Sequence, residues 1–95
     1  MRSGTVVIDV SSVRTSGALH DLLSDRLGFP GWYGRNWDAF WDCIRDPELS
    51  VMPLVLRIHG YEALLAQLPR DAQLLRGCLE DLPGERSDVR VEWGA

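Results

Sequence analysis

Two rhythms of apolar and polar positions run along the chain. Thr5-Val6-Val7-Ile8-Asp9-Val10 is short and rich in β-branched residues, so it predicts a strand, and its nearly continuous apolar character predicts burial on both faces. Leu19, Leu22, Leu23, Arg26 and Leu27 then recur at helical spacing, with Ser16 as the expected cap and Gly28 and Pro30 as the expected stop. Phe29-Pro30-Gly31-Trp32-Tyr33-Gly34-Arg35 reads as a loop with an aromatic tip. Asn36 is a good cap for a second helix that ends near Arg45 or Asp46, ahead of Pro47. Leu54-Val55-Leu56-Arg57-Ile58-His59 predicts a second strand, and residues 60–68 a short helix broken by Pro69. Asp71 is the expected cap of a fourth helix carrying Leu74, Leu75, Cys78, Leu79 and Leu82 on one face, stopped by Pro83-Gly84. Val89-Arg90-Val91-Glu92-Trp93 alternates like a strand with one exposed face. Strands alternating with helices predict an α/β fold: a single layer of three parallel strands, joined by right-handed crossovers and packed with about four helices.

Composition narrows the class. A chain of 95 residues, 45% hydrophobic and 25% charged, fits one globular domain spanning residues 1–95, long enough to build a core without staples. No apolar run approaches the roughly 20 residues of a membrane span. Met1-Arg2-Ser3-Gly4 leads into the first strand without a signal-peptide pattern, so a cytoplasmic location is expected. The two cysteines then read as reduced thiols, not a disulfide framework. Ten arginines, no lysine and 14 acids leave a net charge of −4, which argues against nucleic acid as the partner, since phosphate binding needs a basic footprint.

That charge is unevenly spread. Residues 36–48 hold Asp38, Asp42, Asp46 and Glu48 against Arg45 alone, and residues 71–88 hold Asp71, Glu80, Asp81, Glu85 and Asp88 against Arg76 and Arg86. Six of the eight aromatics, Phe29, Trp32, Tyr33, Trp37, Phe40 and Trp41, fall within thirteen positions. On a helical wheel Trp37, Phe40, Trp41, Cys43 and Ile44 gather on one side, while Asp38, Asp42 and Asp46 form a stripe opposite, flanked by Ala39. Like charges at this spacing repel by about 0.2–0.5 kcal/mol per pair, and no basic residue stands at i+4 from Asp38 or Asp42. Such a stripe suits an external cation. Three readings follow: a basic protein surface, a small metal-dependent enzyme holding Mg²⁺ with Asp38 and Asp42, or an acidic regulatory interaction domain docking on a partner of another kind.

Other reactive side chains read as structural. Cys43 and Cys78 fall on apolar helix faces without a C-x-x-C arrangement, and His20 and His59 lack an evident serine or cysteine partner. Leu56 and Trp93 are core candidates, while Arg57 and Arg90 are expected to face solvent or pair with Glu92. No catalytic residue, metal site or cofactor is assigned.

Leu19-His20, Leu23, Leu27, Phe29-Pro30 and, above all, the run from Trp32-Tyr33-Gly34-Arg35-Asn36 through Trp37-Asp38-Ala39-Phe40-Trp41-Asp42-Cys43 resemble the barstar family of ribonuclease inhibitors. The likeness is strongest over residues 19–43, weak after about residue 60, and extends over the chain in length and order of elements. It implies a barstar-like fold and an intracellular inhibitor that blocks a secreted, barnase-like, guanyl-specific ribonuclease, monomeric alone and bound one to one. By the same resemblance Trp32 and Tyr33 supply aromatic contacts, Gly34 allows close backbone approach, and Asp38 and Asp42 enter the enzyme's basic site beside Trp41. Asp42 would be the anchor, standing where an RNA phosphate sits, and a later acid, Asp81 or Glu80, would add a contact. Arg35, beside the acid stripe, and an altered connection at Asp46-Pro47-Glu48-Leu49-Ser50 depart from the family's pattern.

Overall fold

A computed structural model describes residues 4–94, so the reading of Met1-Arg2-Ser3 as free of a signal pattern lies outside the described residues. Strand β1 (Thr5–Asp9) leads through a turn to α1 (Ser16–Leu27), and the aromatic loop leads to α2 (Trp37–Arg45). Strand β2 (Val55–His59), helices α3 (Tyr61–Gln67) and α4 (Pro69–Asp81), a 3₁₀ turn (Leu82–Gly84) and β3 (Arg90–Gly94) complete the order. The three strands form one parallel sheet in the order β1-β2-β3. The expected α/β architecture, with a three-stranded parallel sheet and four helices, is what the chain adopts.

Among the described residues the helices cover one side of the sheet only. Its register lines up Val6, Leu56 and Val91, and one step on Ile8, Ile58 and Trp93, so these six side chains share a face. Leu56 and Ile58 on the central strand are fully buried there, beneath Leu19, Leu23, Phe40, Ile44, Leu64, Leu75 and Leu79 from the helices. The opposite face carries Thr5, Val7 and Asp9 on β1, with Arg57 and Glu92 paired at 2.7 Å across β2 and β3 and Arg90 at 3.2 Å from the same glutamate. Burial of β1 on both faces is therefore wrong: Val7 is 45% exposed, and only the Ile8 side is covered. Fully parallel sheets usually have helices on both faces. Here charge on the second face substitutes for a second helical layer.

Local chemistry sets the element ends, with two corrections. Thr15, not Ser16, caps α1: its hydroxyl accepts from the Ala18 N–H at 3.1 Å, while Ser16 is the first helical residue. Gly28 ends the helix in the left-handed region (φ 66°), as expected. Asn36 caps α2, its side-chain oxygen accepting from the Ala39 N–H at 2.7 Å. Asp71 does not cap α4, because that helix starts at Pro69, whose missing N–H costs nothing in a first turn. Asp71 is thereby freed for bonds to other elements. The apolar face of α4 also divides: Leu75 and Leu79 are buried, Cys78 is half-buried and Leu74 is exposed. Arg26, expected within the buried rhythm of α1, is exposed and donates to the Val7 carbonyl at 3.0 Å, tying α1 to the sheet edge.

Gly60 stands where β2 turns into α3, at φ 82°, and a Cβ there would lie 2.5 Å from the Ser11 Cβ. Gly77, inside α4, has open space around it. Gly60→Ala is expected to destabilise the protein by about 2 kcal/mol or more, and Gly77→Ala to stabilise it by about 0.5–1 kcal/mol. Urea unfolding midpoints at unchanged slope measure both, and equal signs would overturn this account of the backbone.

Candidate functional site

The aromatic loop and α2 are placed by one polar cluster built around the buried His20. His20 on α1, 1% exposed, lies with its Nδ1 2.6 Å from the Tyr33 hydroxyl and its ring 4.5 Å from the Trp37 ring. The Trp37 indole N–H donates to Asp71 Oδ1 at 2.9 Å, and the Ser16 hydroxyl donates to the same oxygen at 3.3 Å. Asp71 thus joins α1, α2 and α4. Phe29 packs on Tyr33 and Phe40, at ring separations of 4.9 and 5.8 Å. Burial disfavours the charged forms of the two paired groups, pushing the His20 pKa down and the Tyr33 pKa up.

From this base the predicted site residues separate by role. Trp32, at the loop tip, is 71% exposed. Tyr33 is half-buried, with its hydroxyl committed to His20 and 3.4 Å from the Asn36 carbonyl, so it builds the loop as well as edging the surface. At Gly34 a Cβ would come within 3.1 Å of Asn36 Nδ2, the same amide that donates to the Gly34 carbonyl at 3.2 Å. A side chain at 34 would press on the residue that caps α2. Arg35 takes a left-handed backbone (φ 52°), which costs a non-glycine residue roughly 1–2 kcal/mol, and its guanidinium lies 2.6 Å from Asp21 on α1. Its charge is therefore matched by Asp21, away from the acid stripe.

The stripe itself is shorter than its spacing suggests. Asp46 ends α2, and its carboxylate accepts from the Glu48 N–H at 2.8 Å, which turns it into the following connection. Asp42 is not uncompensated: Arg45, at i+3 and not i+4, reaches it at 2.6 Å. Asp38 remains exposed at the helix N-terminus, where the helix dipole favours a carboxylate. Trp41 is half-buried between these acids and the core.

An open groove of about 370 Å³ runs between α2 and α4, lined by Trp37, Asp38, Trp41, Gln73, Leu74, Gly77, Cys78 and Asp81. It brings Asp81 to the same recess as Asp38 and Trp41. Glu80 faces elsewhere and pairs with Arg76 at 3.2 Å, and Arg76 in turn stacks on Tyr61 and Trp93. Of the two late-helix acids, only Asp81 lines this groove. A second recess beyond Asp42 is lined by Arg45, Asp46, Pro47, Leu49 and Glu85. Leu74 and Gly77 were not among the expected site residues. Helical spacing put Leu74 on the apolar face of α4, so no sequence signal separated it from the core leucines. Cys43 is buried and Cys78 half-buried, and burial raises both thiol pKa values, as suits unreactive thiols. Among the described residues no three His, Cys, Asp or Glu side chains converge as a group that could hold a metal ion.

Fold and surface together define a small α/β domain with one face of exposed carboxylates edged by aromatics. The family described as Barstar (barnase inhibitor) matches residues 4–93, and the chain belongs to the barstar family. A protein of Bacillus subtilis (strain 168) named "Putative ribonuclease inhibitor YrdF" is similar, with 40% identity over 57 residues. The matched stretch spans 60% of this chain and 60% of that relative's length. No helix among the described residues is long and apolar enough to cross a membrane.

The buried histidine generates a pH dependence. His20 is held below its ordinary value of 6.5, firstly by burial and then by the Arg35 charge, against opposing pulls from Asp71 and Asp21. Below pH 6.5 the unfolded chain takes up a proton that the native protein refuses, so stability falls as pH drops from 6.5 towards the depressed native value and levels off beneath it. His20→Gln is expected to lose about 1–3 kcal/mol at pH 7 and to flatten this slope. Denaturant unfolding at pH 7, 6 and 5 measures it, and an unchanged slope would place the pH dependence elsewhere.

Proposed function

We propose that the protein inhibits a basic ribonuclease of the barnase type, binding it one to one as a monomer inside the cell that produces the enzyme. The observation that carries this reading is the meeting of Asp38 and Asp81, from two different helices, in one groove beside Trp41, with Asp42 one turn further along α2. A ribonuclease active site is a cationic pocket shaped for phosphate. Carboxylates on a helix edge fill such a pocket and offer no scissile bond, and the helix holds them with little ordering cost on binding. Membership of the barstar family and the name of the Bacillus subtilis relative support this reading.

The roles divide by geometry. Asp42 and Asp38 take the cations of the enzyme pocket, as charge-assisted and, with arginine, bidentate hydrogen bonds. Asp81 contributes from the far side of the groove, and Trp32, Tyr33 and Trp41 supply apolar contact around the charged centre, where they exclude water. Gly34 keeps the loop backbone clear for close approach. None of these residues is asked to make or break a bond, so the protein acts by occlusion and not as an enzyme.

Asp42→Ala and Asp38→Ala are expected to weaken binding to a barnase-type ribonuclease by about 100-fold or more each, since each leaves a desolvated cation unpaired, with little change in the protein's own melting temperature. Isothermal calorimetry and inhibition of RNA cleavage measure this. Wild-type affinity in Asp42→Ala would remove the anchor from the reading. Association should also slow steeply between about 0.05 and 0.5 M salt, because steering charges are screened over about 10 Å at 0.1 M. A salt-independent association rate in stopped flow would exclude electrostatic docking.

A further inference from the structure

The acid proposed as the anchor is already engaged. Arg45 Nη2 donates to Asp42 Oδ1 at 2.6 Å. The arginine does not swing freely: its Nε donates to the Trp41 carbonyl at 3.3 Å, and its guanidinium carbon lies 5.0 Å from the centre of the Trp41 ring. Three contacts therefore hold one cation against Trp41 and Asp42, two residues of the proposed face. Arg45 is 35% exposed and Asp42 65% exposed, so the pair sits at the surface where a partner would dock. An isolated surface ion pair with a freely moving arginine would contribute little. The fixed stem makes this one a standing competitor for any cation approaching Asp42.

The other arginine near the face behaves differently. Arg35 is matched by Asp21 on α1 and touches none of the proposed contact residues through an ion pair. The two cations thus separate a general effect of positive charge from a specific hold on Asp42.

We propose that Arg45 is a specificity-determining residue of this face: its internal pair with Asp42 must be displaced on binding, which restricts the face to partners whose cationic pocket outcompetes a tethered guanidinium. This rests on the reading of Asp42 as the anchor for a basic ribonuclease. Displacement breaks the Asp42 ion pair while the two contacts to Trp41 hold Arg45 at the rim of a positive pocket, so weakly basic partners gain nothing from Asp42. A partner with several convergent arginines or lysines recovers the loss through Asp42 itself, because both carboxylate oxygens then become available.

The test is a double-mutant cycle read by stopped-flow and surface-plasmon kinetics against a barnase-type ribonuclease. Arg45→Gln, and separately Arg45→Met to keep the apolar stem on Trp41, are expected to bind about five- to tenfold tighter than the parent chain. Arg35→Gln removes the same charge and is expected to change affinity by about twofold at most. The gain from Arg45→Gln should vanish when Asp42→Asn is also present. Equal gains from Arg35→Gln and Arg45→Gln, or a gain that persists beside Asp42→Asn, would overturn the competition, as would unchanged or weaker binding by both Arg45 variants while Asp42→Asn alone abolishes it. If Asp42→Asn alone leaves binding intact, the anchor reading fails first and the inference falls with it. Thermal melts of each variant guard against loss of fold, with Arg45→Met as the second measure should Arg45→Gln melt early.

Discussion

The bond from the Trp37 indole to the Asp71 carboxylate, 2.9 Å long, is the constraint on which the rest of the surface depends. Trp37 opens α2 and Asp71 lies in the first turn of α4, so this single contact fixes how the acidic helix meets its neighbour. The same carboxylate takes the Ser16 hydroxyl of α1, and His20, packed at a tilt against Trp37, reaches the Tyr33 hydroxyl in the loop. Buried polar groups such as His20 cost free energy unless partnered, and no buried side-chain nitrogen or oxygen among the described residues lacks a partner. A fully satisfied cluster joining three helices and a loop permits few alternative arrangements. The groove between α2 and α4 is a consequence of that packing.

On this frame the acidic face is more restrained than its composition suggests. The chain's net charge of −4 is concentrated on two helical regions, yet most of those acids have local work. Asp46 shapes a turn, Glu80 holds Arg76, and Asp42 is matched by Arg45, which leaves Asp38 and Asp81 as the groove's unmatched pair among its lining residues. The internal pairing explains how a strongly charged helix edge stays stable while no partner is bound: the like-charge repulsion along α2 is offset within the same helix.

Much of this was legible in the residues. The helix boundaries at Asn36 and Gly28, the parallel three-stranded sheet, the structural role of His20 and the ion pair of Arg57 with Glu92 all follow from local chemistry acting over a few positions or from strand alternation. What failed did so for two physical reasons. Val7 looked buried because β-branched residues are apolar, but burial is decided by whether a helix covers that face, and the helices among the described residues cover the other one. Arg45 was overlooked because an i+4 search misses an i+3 partner, although helical neighbours occur at both spacings.

By itself, the sequence determined the elements, their order, the family and the cluster of acids and aromatics around residues 32–42, because these depend on backbone preference and on spacing along one helix. Only the tertiary structure decided which acids share a recess, that Asp81 and not Glu80 joins Asp38, that Arg35 turns to Asp21, and that Asp71 ties helices together instead of capping one. Each of those outcomes turns on the distance between groups far apart in the chain. Side-chain pairing across elements is set by how helices pack on the sheet, and no local spacing rule contains that distance.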